Sequence, residues 1–156
     1  MAGTVKPIPD GYHPVTPYLI AHDAAGAIDF FKKAFGAEEI LRMAGPGGKI
    51  GHAEVRMGDS IVMLADEHPE VGAVSPRSLG GTSVHLLLYV QDVDSVMARA
   101  LAAGAKLVKP LEDQFYGDRT GTVRDPSGHS WTIATHKEDV PPDEMARRAA
   151  ASKGEG

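Results

Sequence analysis

The chain repeats itself at a fixed interval. Gly36-Ala37 and Gly104-Ala105 lie 68 residues apart, and so do Val55-Arg56 and Val123-Arg124. Around each pair the order of signals is the same: a strand, a helix closed by glycine, then three strands. Self-similarity at a constant offset marks an internal duplication. A half of this length buries too little apolar surface to stand alone, so the two halves must share one core.

The repeat divides the 156 residues into a leader (1–14), a first module (15–67), a linker loop (68–82), a second module (83–136) and a tail (137–156). In the first module Val15–Ala21 reads as a strand, with Pro17 marking an edge or a bulge. Asp23 caps a helix over 24–35, where Ala27, Ile28, Phe31 and Phe35 recur at helical spacing, and Gly36 stops it. Strands follow at 37–43, 50–57 and 60–66, joined at Gly45-Pro-Gly-Gly48 and Gly58-Asp59. The second module gives a strand at 83–90 and a helix capped by Asp92 or Asp94 running to Gly104. Its further strands fall at 106–111, within 116–125, and at 130–135 after Pro126-Ser-Gly128. A short charged helix is expected at 144–151. The fold class is therefore α+β, two tandem βαβββ modules in a single compact domain.

Strand parity separates the faces, because alternate residues point to opposite sides of a sheet. Val84, Leu86 and Leu88, Val62 and Leu64, and Trp131 and Ile133 form strictly apolar sets that belong under the helices. The opposite sets, His85, Leu87 and Tyr89, Ile61, Met63 and Ala65, and Ser130, Thr132 and Ala134, mix small, polar and aromatic groups. Such a mixture suits the lining of a ligand cavity. The same parity puts the single tryptophan in the core and not on a substrate.

Composition narrows the function. Sixteen basic against 21 acidic residues leave a net charge of −5, the wrong sign for nucleic acid or an anionic membrane as a partner. Cysteine is absent, which removes disulfides, thiolate metal sites and cysteine nucleophiles. No apolar run approaches the ~18 residues of a membrane span, and a cytoplasmic location is expected. There is no P-loop, no dinucleotide-binding glycine motif after a strand, and no Gly-x-Ser-x-Gly elbow.

The ordered segments Val15-Thr-Pro-Tyr-Leu19, Ala27-Ile-Asp-Phe-Phe-Lys-Lys-Ala-Phe-Gly-Ala37, Lys49-Ile-Gly-His-Ala-Glu54, Gly58-Asp-Ser-Ile-Val-Met-Leu-Ala-Asp66, Gln114-Phe-Tyr-Gly-Asp-Arg119 and Asp125-Pro-Ser-Gly-His129 resemble the vicinal oxygen chelate superfamily. That superfamily contains glyoxalases, extradiol dioxygenases and bleomycin-resistance proteins, and the resemblance is narrowest to its PhnB-like branch. It covers roughly Gly11 to Val140. It implies two modules forming a curved mixed sheet around a cavity, often completed in a homodimer. In metal-dependent members each module supplies one ligand from its first strand and one from its last. Carried onto this chain, those positions are Thr16, Met63, His85 and Thr132. Only His85 is a competent ligand for a divalent ion, so the resemblance implies the fold without its usual metal centre.

Other residues carry weaker signals. His85 on the cavity face lines a pocket; its alternative role is a proton shuttle. His52 and Glu54 share one strand face, where a polar or dimer-edge surface is the expected reading and a metal pair the alternative. Arg56 is an equally good partner for Glu54. Tyr116 is placed to cover a cavity. Arg119 either meets an anionic substrate or pairs with Asp113 or Asp118. His129 and His136 flank the last strand without a motif and are read as exposed.

These readings converge on a homodimeric protein that binds a small organic molecule in a pocket lined by Thr16, Tyr18, Met63, His85, Tyr89 and Thr132, with Tyr116 as cover. No cofactor is expected. The alternative is a lyase, isomerase or dioxygenase whose divalent metal is held by ligands recruited from His52, Glu54, His85 or His129.

Overall fold

A computed structural model describes residues 3–154; Met1 and Ala2 of the leader and Glu155 and Gly156 of the tail lie outside the described residues. The element order is β1 (Tyr18–Ala21), α1 (Ala24–Phe35), β2 (Glu38–Ala44), β3 (Ile50–Met57), β4 (Ser60–Asp66), α2 (Pro76–Leu79), β5 (His85–Tyr89), α3 (Val93–Ala102), β6 (Lys106–Asp113), β7 (Asp118–Arg124), β8 (Ser130–His136) and α4 (Pro142–Lys153). The duplication is explicit in the topology. One sheet runs β1-β4-β3-β2 and the other β5-β8-β7-β6, each with one parallel pair, β1 with β4 and β5 with β8.

Each helix starts and stops for local reasons. Asp23 accepts the Gly26 N–H, and Asp66 ties the start of α1 to the start of β3, taking the N–H groups of Ala24 and Ile50 at 2.7 Å each. Gly36 closes α1 in the left-handed conformation, where a side chain would be strained. In the second module Asp92 caps α3, and the Thr135 hydroxyl takes the place of Asp66 by accepting from Val93 N.

The parity rule holds in the core. Leu19, Ala21, Ala53, Val55, Met57, Val62 and Leu64 of the first sheet face α1, while Val123, Trp131 and Ile133 of the second face α3. The helices also pack on each other, and one apolar cluster runs through both modules. Trp131 joins them: its ring lies 5.5 Å from Phe31 and 5.0 Å from Phe35, centroid to centroid. Its indole N–H donates to the buried Asp125 at 2.9 Å.

Two element bounds are corrected. The first strand begins at Tyr18, not Val15, because Pro14 and Pro17 interrupt the backbone donors a ladder needs. The linker loop holds a 3₁₀ turn at Pro69–Val71 and the single-turn α2, each with proline in its first turn. The last helix is longer than the charge pattern suggested, spanning Pro142–Lys153. The two sheets also do not join within the chain; no strand of one hydrogen-bonds to the other. Helices α1 and α3 pack on each other, each against the sheet of its own module, and among the described residues the other face of each sheet carries no helix of that module. No helix among the described residues is long and apolar enough to cross a membrane.

Candidate functional site

The predicted lining residues fall on two faces. Tyr18 and Met63 are register partners on the first sheet, with Glu54 next across the ladder. His85, Tyr89 and Thr132 lie on the second. Thr16 precedes the ladder; its hydroxyl donates to His13 O at 3.0 Å, and the residue lines a cavity of about 220 Å³ with Val15, Ile61 and Leu87. Within one chain these side chains do not converge on one point.

On the first sheet the leader returns across the open face. The Tyr12 hydroxyl donates to Glu54 Oε1, His52 Nε2 lies 2.8 Å from Glu54 Oε2, and Tyr18 Oη lies 2.9 Å from His52 Nδ1. Glu54 is only 6% exposed. Burial opposes its charge, but the hydrogen bonds from Tyr12 and His52 outweigh that and hold the carboxyl below its ordinary value. With Glu54 anionic, the consistent tautomer carries the imidazole proton on Nε2 and leaves Nδ1 to accept from Tyr18. The result is a string, Tyr18–His52–Glu54–Tyr12, from an exposed phenol to a buried carboxylate. Arg56, the alternative partner for Glu54, instead reaches Glu38 at 3.3 Å. Tyr12 went unnoticed in the sequence because nothing local shows where a leader folds back.

The second sheet carries a comparable string. Tyr89 Oη donates to Asp118 Oδ2 at 2.9 Å, and His136 Nδ1 lies 2.6 Å from Asp118 Oδ1. His136 Nε2 meets Asp139 at 2.8 Å. Hydrogen bonds from His136 to these two carboxylates raise the imidazole above its ordinary value. The bond to Asp118 raises the Tyr89 phenol, with Tyr116 close by. Tyr116 itself packs edge-on against Phe115 beside this string. Thr122 and Thr132 share a 2.9 Å hydrogen bond further along the same face.

One histidine reading changes and one is kept, His136 being exposed as expected. His129 is buried, 3.5 Å from Asp125, and His136 belongs to the Tyr89–Asp118 string. Arg119 is engaged structurally, with both Asp94 oxygens at 3.0–3.1 Å and Asp113 at 3.3 Å. Asp94 is the partner that linear spacing did not suggest.

The donor set does not fit a resident divalent ion at the four positions the fold family would use. Thr16 and Thr132 are committed to local hydrogen bonds, Met63 offers a thioether on the other sheet, and His85 stands alone. Among the described residues no three His, Asp or Glu side chains gather as a metal-holding group.

Tandem βαβββ modules with these open, hydrogen-bonded faces define a class of scaffold. The chain belongs to the Glyoxalase/Bleomycin resistance protein/Dioxygenase superfamily, whose family model matches residues 12–133. It is 46% identical over 145 residues to an uncharacterised protein of Mycobacterium tuberculosis, covering 91% of this chain and 85% of that one. Among solved structures it is similar to TioX from Micromonospora sp. ML1, with 34% identity, a TM-score of 0.63, and coverage of 78% of this chain and 97% of that one. It shares its fold with a PhnB protein from Bacillus cereus at 19% identity and a TM-score of 0.60, covering 79% and 99% of the two chains.

Proposed function

We propose that this protein binds a small organic molecule as a homodimer, without the divalent-metal centre usual in its family. One observation carries the reading: Leu87 and Tyr89 are 52% and 61% exposed on a sheet face that also presents oriented hydroxyls, a carboxylate and imidazoles. Apolar surface beside a few oriented polar groups is what a ligand site needs, affinity coming from burial and specificity from hydrogen bonds. A second copy laid over these faces would enclose them, and sequestration of a toxic compound is one use such a pocket serves. The reading includes a cytoplasmic location.

Two measurements test it. Light scattering behind a sizing column is expected to give twice the chain mass. Metal-stripped protein is expected to bind the neutral aromatic probe Nile red saturably, and Leu87→Asp to weaken that binding. A monomer that binds no probe sinks the proposal. The Tyr18–His52–Glu54 string favours a second reading, an enzyme with recruited ligands. Near-stoichiometric zinc, nickel, manganese or iron in untagged protein, lost in His52→Ala or His85→Ala, would select it.

A further inference from the structure

The open face of the second sheet is unevenly charged. Strand register places His85, Ser130, Arg124 and Lys106 in one row across it, and Leu87, Thr132, Thr122 and Lys109 in the next. The end of the linker, Gly81 and Thr82, closes the edge beyond β5. Between them lies a cavity of about 210 Å³. Its polar lining is Lys109, Arg124, His85 and the hydroxyls of Thr82, Thr122, Ser130 and Thr132, and no carboxylate lines it.

Arg124 also borders an adjoining cavity of about 440 Å³ with Arg77 and Lys106. The one acid there, Asp125, is buried, and its oxygens are occupied by Ser127 N, His129 N and Trp131 Nε1. Arg42, Arg56, Arg119, Arg147 and Arg148 pair with carboxylates, whereas Arg77, Lys106, Lys109 and Arg124, like Lys33, Lys49, Arg99, Lys137 and Lys153, make no ion pair among the described residues. The first four of these line the two cavities. In a chain of net charge −5, four cations gathered around adjoining cavities make a local excess of positive charge that favours an anion.

We propose that this cavity binds the oxyanion group of a small organic acid, whose apolar body lies along β5 over Leu87 and Tyr89. The proposal rests on the small-molecule reading above and names its ligand class. Arg124 offers a planar fork of donors and Lys109 a mobile point charge. The Thr122–Thr132 pair shares one of its two hydroxyl protons, leaving the other for the anion. Side chains on one face of a strand repeat about every 7 Å, so Leu87 and Tyr89 stand about 7 and 13 Å from His85. A one- or two-ring body attached to the acid spans that distance.

Calorimetry on the full chain at low salt tests this with four probes: 1-naphthyl phosphate, 1-naphthoate, inorganic phosphate and neutral 1-naphthol. The variants are Arg124→Gln and Lys109→Gln, both at exposed positions, with far-UV circular dichroism as the check on folding. At least one naphthyl anion is expected to bind about tenfold more tightly than naphthol and than inorganic phosphate, and each variant to remove about tenfold of that affinity while leaving naphthol unchanged. The tighter of the two anions distinguishes a phosphate from a carboxylate ligand. Naphthol binding as well as the anions, with no loss in the variants, overturns the anion site and leaves the small-molecule reading standing. Failure of all four probes to bind at about 10 mM overturns both.

Discussion

Asp118 is buried with two donors on it, and the protonation of His136 follows from that. The Asp118 and Asp139 carboxylates both favour the imidazolium, so the folded-state pKa lies above the ordinary 6.5. A raised value means that the stabilisation from this cluster is complete below 6.5 and fades as pH rises through the folded pKa. NMR titration of the His136 ring is expected to give a midpoint above 6.5, and Asp118→Asn to lower it; an unmoved midpoint in the variant would sink the assignment. The pairing spans 18 residues and depends on β7 and β8 meeting in one register. Sequence showed that His52 and Glu54 share a strand face, a consequence of period two. It did not show that Tyr12 and Tyr18 complete their string, because hydrogen-bond partners are chosen by tertiary approach.

The linker between the modules is a structural element with its own acid–base chemistry. Glu67 accepts from Ser75 N at 2.8 Å, and hydrogen bonds from the Ser78 and Ser75 side chains help to bring its pKa down to about 2. A lowered carboxyl contributes stability above its unfolded value near 4.5, and that contribution is lost as pH falls toward 2. Acid unfolding of the wild type should therefore lose on the order of 2 kcal/mol across this window that Glu67→Gln does not lose. Parallel urea titrations at the two ends of the window check it, and equal losses in both proteins would remove Glu67 from the account. The same loop presses on the Asp125-Pro-Ser-Gly128 turn: Gly128 has φ +94°, and a Cβ there would lie 2.9 Å from Arg77 N. Proline and glycine content marked 68–82 as a loop, but the docking of α2 on that turn has no periodicity to announce it.

For the molecule as a whole, stability is shared through α1, α3 and Trp131. Phe31 is fully buried where the two modules meet. Phe31→Ala should cost about 3–5 kcal/mol through lost burial and the cavity left behind. Because Trp131 reports from the second module, indole fluorescence and far-UV circular dichroism are expected to lose stability together. A first module that melts alone, with the tryptophan signal unchanged, would contradict the shared core. The duplication, the α+β class, most element boundaries, the helix caps and the placing of Trp131 in the core were all legible in the chain, since each follows from local spacing or from period two and period 3.6. The expectation of one pocket lined by Thr16, Tyr18, Met63, His85, Tyr89 and Thr132 rested on strand faces and on positions implied by the family resemblance, and a face does not say what it looks at. Tertiary contacts pack α1 against α3 and bring the leader over Glu54, and the pairing of β5, β8, β7 and β6 in one register gathers Lys109 and Arg124 beside His85; each arrangement is made between segments far apart in sequence.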